Sequence, residues 1–148
     1  MKIKECYLIF CKGTHWTNWF EKDGFGHIII LDKDKYNWYM VEGRKNILGV
    51  KILGRDVKDN LPEKMARGLG YKIIKVTYDA DGYKSFMKLT FMSCVEIAKY
   101  YIGLKCWSRT PYGLYKKLLN IDAKNKYRKY KNILNIEIIG GYENGWIK

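Results

Sequence analysis

The sequence predicts a single α+β domain, on three observations. Apolar runs rich in β-branched and aromatic residues fill the first half of the 148-residue chain. Two helical stretches then follow one another directly, without a strand between them. A final strand-like run closes an order of strands, short helix, strand, two helices, strand, which is segregated rather than alternating.

Each element has its own signal. Glu5–Cys11 is a short apolar run of strand formers, and the aromatic-rich, turn-like segment Lys12–Phe20 follows it. Asp23-Gly24 marks a tight turn. Phe25–Leu31 and Tyr36–Glu42 form a hairpin about Asp32–Lys35, ended by Gly43, with apolar residues on both faces as in a central, covered strand. Asn46–Leu53 reads as a further strand. Leu61–Leu69 reads as a short helix, with Asn60 as its cap and Pro62 in its first turn. Tyr71–Tyr78 alternates like a strand with one solvated face.

From Thr90 to Gly103 the apolar residues Phe91, Cys94, Val95, Ala98, Tyr101 and Ile102 recur at helical spacing. Thr90 and Ser93 are both capping residues, and Gly103 can end the helix in a left-handed conformation. A second helix starts at Thr110-Pro111 and runs through Leu114, Tyr115, Leu118 and Leu119. Lys124–Lys131 reads as a loop or frayed helix end, and Ile133–Ile139 as a last strand before Gly140-Gly141.

Composition narrows the classes. With 47% hydrophobic and 16% aromatic residues there is material for one well-filled core and no sign of disorder. No apolar run approaches the roughly 20 residues of a membrane-spanning helix. The start, Met1-Lys2-Ile3-Lys4-Glu5, lacks the apolar core of a signal peptide. The expectation is a cytoplasmic protein, or one associated with a virus particle. The cysteines, Cys6, Cys11, Cys94 and Cys106, form no C-x-x-C pair, and only two histidines accompany them. Reduced thiols are expected, with no metal site and no cofactor. A net charge of +13 permits binding to a polyanion, and its one dense cluster is Lys124, Lys126, Arg128, Lys129 and Lys131. Its tyrosines, Tyr127 and Tyr130, suit single-stranded nucleic acid, but no nucleic-acid-binding motif accompanies them.

The candidate chemistry centres on Cys94. In the first turn of a helix a thiol lies where amide N–H groups lack intrahelical acceptors and the dipole favours an anion, which lowers its pKa. The alternative is a packed core cysteine. His27 opens a strand directly after Gly26, and folding the hairpin about Asp32–Lys35 sets it opposite Met40–Glu42. Glu42 can then accept a hydrogen bond from the far imidazole nitrogen, as in nucleophile–base–orienter triads. A structural histidine and a solvated glutamate are the alternatives. His15 is a competing base, but it stands in a turn rather than on a rigid strand.

Phe25-Gly26-His27, a hairpin ending in Glu42, and Ser93-Cys94-Val95-Glu96 at a helix start resemble the circularly permuted branch of the NlpC/P60 papain-like superfamily. That branch carries histidine before cysteine and includes lecithin:retinol acyltransferase-like enzymes and several viral proteins. Cys94–Leu119, with Thr110-Pro111-Tyr112-Gly113-Leu114-Tyr115, is similar to small phage-encoded members. The resemblance spans Phe25 to Leu119 and implies a papain-like fold, with the cysteine helix packed on a central antiparallel sheet. It implies Cys94 as nucleophile, His27 as general base and acid, and Glu42 as the orienting residue.

The chain lacks both the Asp-Cys-Ser-Gly signature of the cell-wall hydrolases and the Asn-Cys-Glu-His surroundings of the acyltransferases. The implied substrate class is therefore broad: an amide or ester in a peptide, a peptidoglycan fragment or an acyl group. The backbone N–H of Cys94 would hold the oxyanion together with a donor from Thr14, His15, Trp16, Thr17, Asn18 or Trp19. Trp16, Trp19, Trp38 and Trp107 are candidates for a substrate groove or for the core. Two further readings compete: a basic binding module on the same scaffold, and a virion or host-interaction protein.

Overall fold

A computed structural model describes residues 1–13, 22–44, 47–54, 57–81, 93–123 and 130–140. The elements run β1 (Ile3–Cys11), β2 (His27–Lys33), β3 (Trp38–Arg44), β4 (Ile47–Gly54), α1 (Leu61–Leu69), β5 (Lys72–Asp79), α2 (Cys94–Tyr101), α3 (Pro111–Ala123) and β6 (Ile133–Gly140). All six strands join one sheet in the order β4-β3-β2-β1-β5-β6, and every neighbouring pair is antiparallel. The α+β class and the antiparallel sheet hold.

Both faces of the sheet are covered, because the inner strands are apolar on both sides. Leu8, Phe10, Ile28, Ile30, Val41, Ile74 and Val76 pack on one face against Val95, Ile97 and Ala98 of α2 and Leu114 and Leu118 of α3. Ile9, Leu31, Trp38 and Ile73 pack on the other, where Leu61, Met65 and Ala66 of α1 close over them. α1 rests so closely on β6 that a Cβ on Gly140 would lie 2.4 Å from the Cβ of Ala66.

Trp38 belongs to this second core, only 2% exposed, the second of its two readings, while Trp107 is 91% exposed and is not a core residue. Three expectations need correction. β5 has no freely solvated face: it lies between β1 and β6, and Ile73 is buried beneath α1 while Lys75 and Thr77 are half-buried. Asn60 precedes α1 without a side-chain capping bond. The hairpin turn falls at Asp34–Asn37, two residues later than expected. Asp34 decides this, since its Oδ1 accepts from the amides of Tyr36 at 2.7 Å and Asn37 at 2.6 Å. Those bonds and the Tyr39 hydroxyl hold its carboxyl below the usual range, the hydroxyl most strongly.

Helix α2 is pinned at its C-terminal end. Gly103 adopts a left-handed φ of 66°. The side-chain amide of Asn132 donates to the carbonyls of Ile102 at 2.7 Å and Gly103 at 2.8 Å. Lys99, 8% exposed, donates to the carbonyls of Cys106 at 3.1 Å and Ser108 at 3.0 Å and pairs with Glu96 at 2.5 Å. A buried ammonium needs such partners, and here they fasten the chain after α2 back onto the helix. α3 begins as read from the sequence: Thr110 Oγ1 accepts from the Gly113 amide at 3.1 Å, with Pro111 as first helical residue.

Candidate active site

Cys94 is the first residue of α2 rather than a residue within a longer helix; Thr90 and Phe91 lie outside the described residues. Ser93 caps the helix from an extended conformation, its Oγ accepting from the Glu96 amide at 3.2 Å. The amides of this first turn point outward along the axis, giving the end of α2 its positive character. The Cys94 side chain is half-buried against the larger core.

What lets α2 come this close to the sheet is Gly43. A Cβ there would lie 2.2 Å from Ile97 Cδ1 and 3.7 Å from the Cα of Cys94. The sequence reads Gly43 only as the end of a strand, yet it is an interior residue of β3. Glycine inside a strand pattern signals close backbone approach, and this one seats the cysteine helix.

His27 and Glu42 meet. His27 Nε2 lies 3.5 Å from Glu42 Oε2, with side-chain exposures of 20% and 22%. That is ion-pair range for a protonated imidazole, and longer than a fully formed hydrogen bond. The two are not directly opposed, because the later turn shifts the register. Glu42 pairs with Ile29, Val41 with Ile30 and Met40 with Leu31. Their contact is diagonal, within reach of two long polar side chains.

The pleat adds a second constraint. Ile28, Ile30 and Asp32 face α2, whose Tyr101 hydroxyl donates to Asp32. His27 and Ile29, at alternating positions, face the other way, and so does Glu42 opposite Ile29. The β2–β3 ladder ends at Ile29–Glu42, while β2 goes on pairing with β1 to Cys11–His27 and β3 with β4 to Arg44–Ile47. Among the described residues the β2–β3 pairing stops at Ile29–Glu42. His27 and Glu42 stand on one face of the sheet and the N-terminus of α2 on the other.

Cys11, missed by sequence reasoning, reports that the corner is shared. It is the register partner of His27, and its thiol is pushed up to about 11, first by burial, then by the negative charges of Cys94 and Glu42. Only the sheet order reveals it, since nothing in the sequence sets β1 beside β2. The start of β2 is fixed from its other end as well. The Gly26 amide donates to the Cys11 carbonyl at 2.9 Å. Phe25 packs its ring at 4.9 Å from that of Tyr115 and 5.0 Å from that of Tyr112.

Raised thiols carry a pH signature. The stability Cys11 contributes is complete below the ordinary thiol value of 9.0 and is lost as pH rises towards about 11. Cys6, Tyr78 and Tyr101, all raised chiefly by burial, act in the same direction. Thermal melts taken upward from about pH 8 should therefore show a falling Tm. Cys11→Ala should remove part of that slope; an unchanged slope would refute the assignment to Cys11.

His15 and the oxyanion-donor candidates Thr14 to Trp19 lie outside the described residues, as do Lys124, Lys126, Arg128, Lys129 and residues 141–148. Lys131 is described, and it is exposed. Among the described residues no cluster of His, Cys, Asp or Glu is arranged to hold a metal ion, and no helix is long and apolar enough to cross a membrane. No protein-family model, curated protein or solved structure matches the chain.

Proposed function

We propose that the chain is a cysteine hydrolase or acyl-transfer enzyme of permuted papain-like type, acting on an amide or ester carbonyl. The observation that carries the reading is the His27–Glu42 contact at the sheet corner where α2 presents Cys94. Glu42 lies on the Nε2 side of the ring, within ion-pair range once the imidazole is protonated. In this reading the imidazole reaches the thiol beyond the last β2–β3 pair, Ile29–Glu42.

In this mechanism His27 takes the thiol proton and the sulfur attacks the carbonyl carbon. The resulting oxyanion is held by the Cys94 amide and a second donor. His27 returns the proton to the leaving nitrogen or oxygen as the tetrahedral adduct collapses to a thioester. Water, deprotonated by His27, or an acceptor nucleophile then cleaves the thioester and restores the thiol. No cofactor is called for. Peptides, peptidoglycan fragments and acyl groups all carry the carbonyl this chemistry requires. The competing reading, a basic binding module for a polyanion, rests on the charge of +13 and a lysine cluster of which only Lys131 is described. The virion or host-interaction reading has no described feature behind it.

Labelling tests the site without a known substrate. Limiting iodoacetamide at neutral pH, followed by peptide mass spectrometry, should modify Cys94 first. Cys106 is the control, being half-buried like Cys94 but not itself part of a helix. Buried Cys6 and Cys11 should remain unmodified. First labelling at Cys6, Cys11 or Cys106 would show that the nucleophile is misassigned.

A further inference from the structure

β4 departs from the way sheet edges are usually protected. Edge strands normally carry charges, bulges or a cover, because their outer N–H and C=O groups invite another strand. Among the described residues β4 has β3 on one side and no strand on the other. It carries Ile47, Leu48, Val50 and Ile52 at exposures of 68%, 47%, 61% and 63%, with Lys51 as its one charge. The opposite edge, β6, buries Ile133 and Ile136 and exposes Asn135 and Glu137, with Leu134, at 37%, its one exposed large apolar side chain.

Register sets the geometry of the patch. Val50 pairs with Val41, Leu48 with Gly43 and Ile52 with Tyr39, so Leu48, Val50 and Ile52 share the face of the sheet on which α2 lies. Among the described elements α2 packs chiefly on β2 and β3, and the three side chains remain exposed.

We propose that β4 pairs with β4 of a second copy of this chain, antiparallel about a twofold axis at Val50, to make a continuous twelve-stranded sheet. The strand is self-complementary in that register and in no adjacent one. Val50 then faces itself, Leu48 faces Ile52, Ile47 faces Leu53, and Lys51 falls opposite Gly49. Centring on Lys51 would set two ammonium groups against each other, which is destabilising. Centring on Gly49 would leave Ile52 without an apolar partner. A twofold pairing is also closed, so it yields a dimer and not a fibre.

The +13 charge of each copy opposes association at long range. Added salt screens that repulsion and strengthens the dimer, opposite to its effect on polyanion binding. An eight-residue edge buries less than the roughly 1,200 Å² of a standard interface, so the dimer is a weak one.

Sedimentation equilibrium of the full chain should show a monomer–dimer equilibrium that shifts towards dimer as salt is raised. Val50→Lys, at an exposed site, should keep the circular dichroism of the parent and sediment as a monomer. Mild oxidation should link Val50→Cys into a disulfide dimer well above the background of the unmodified chain, with Lys51→Cys staying at background. If Val50→Lys fails to fold, the cysteine pair decides the register alone. A chain monomeric at every concentration and salt overturns the proposal and leaves the edge to a strand from another protein. A dimer surviving Val50→Lys overturns it too, as does linking of Lys51→Cys as fast as Val50→Cys.

Discussion

His27→Ala is expected to slow iodoacetamide labelling of Cys94 at neutral pH by about ten- to thirty-fold, and turnover of any cleaved substrate by about 10²- to 10⁴-fold. The two figures differ for a physical reason. Alkylation samples the thiolate, and an unassisted thiol is a few per cent ionised at pH 7, so complete ionisation gains only about thirty-fold. Turnover loses that and, in addition, the proton His27 delivers to the leaving group. Raising the pH should close the labelling gap, because hydroxide then ionises the thiol without help. Glu42→Gln should fall between the parent and His27→Ala, since the amide can hold the ring yet cannot stabilise an imidazolium. Adding His27→Ala to Cys94→Ala should cost nothing further, as residues that act as a unit are not additive. Equal labelling rates for His27→Ala and the parent chain would remove His27 from the site.

That experiment also resolves the one tension in the geometry. The pleat turns His27 and Glu42 away from the face that carries α2, whereas the chemistry needs imidazole and thiol together. The absence of a β2–β3 ladder beyond Ile29 and Glu42 is what makes the approach sterically reasonable. Cys11, the register partner of His27, is raised chiefly by burial and further by Cys94 and Glu42.

Much of this was legible in the sequence, and the reasons are local. An apolar run of strand formers announced β1, and β-branched runs β2 and β6; Pro62 announced α1, and Thr110-Pro111 announced α3. Thr90 and Ser93 both offered a cap for α2, and Ser93 is the one that makes the bond. The register of the hairpin was not legible, since Asp32 and Asp34 are equally good turn formers until one of them captures the amides of Tyr36 and Asn37. The place of β1 at the centre of the sheet, between β2 and β5, depends on pairings tens of residues apart that no local pattern encodes. Cys11 was invisible for that reason. Gly43 was visible but undervalued, because its role lies in what it lacks.

Gly43→Ala is the second substitution expected to act strongly, this time through packing. The added methyl would fall 2.2 Å from Ile97 Cδ1, a distance no real pair of carbons tolerates. Ile97 is 5% exposed and cannot simply swing into solvent, so either its rotamer or the seat of α2 must give. Overpacking of this kind costs about 1–3 kcal/mol, or a Tm lower by about 3–10 °C in a chain of this length. Ile97→Val removes the offending methyl; alone it should cost about 0.5–1.5 kcal/mol, and combined with Gly43→Ala it should recover much of the loss. The same added Cβ lies 3.7 Å from the Cα of Cys94, so the strain reaches the proposed nucleophile. Gly43→Ala should therefore lower both Tm and the Cys94 labelling rate, and Ile97→Val should restore them together. If thermal melts recover in the double variant while labelling does not, β3 supports the helix without positioning its cysteine. If neither recovers, the Gly43–Ile97 contact does not seat α2 on the sheet.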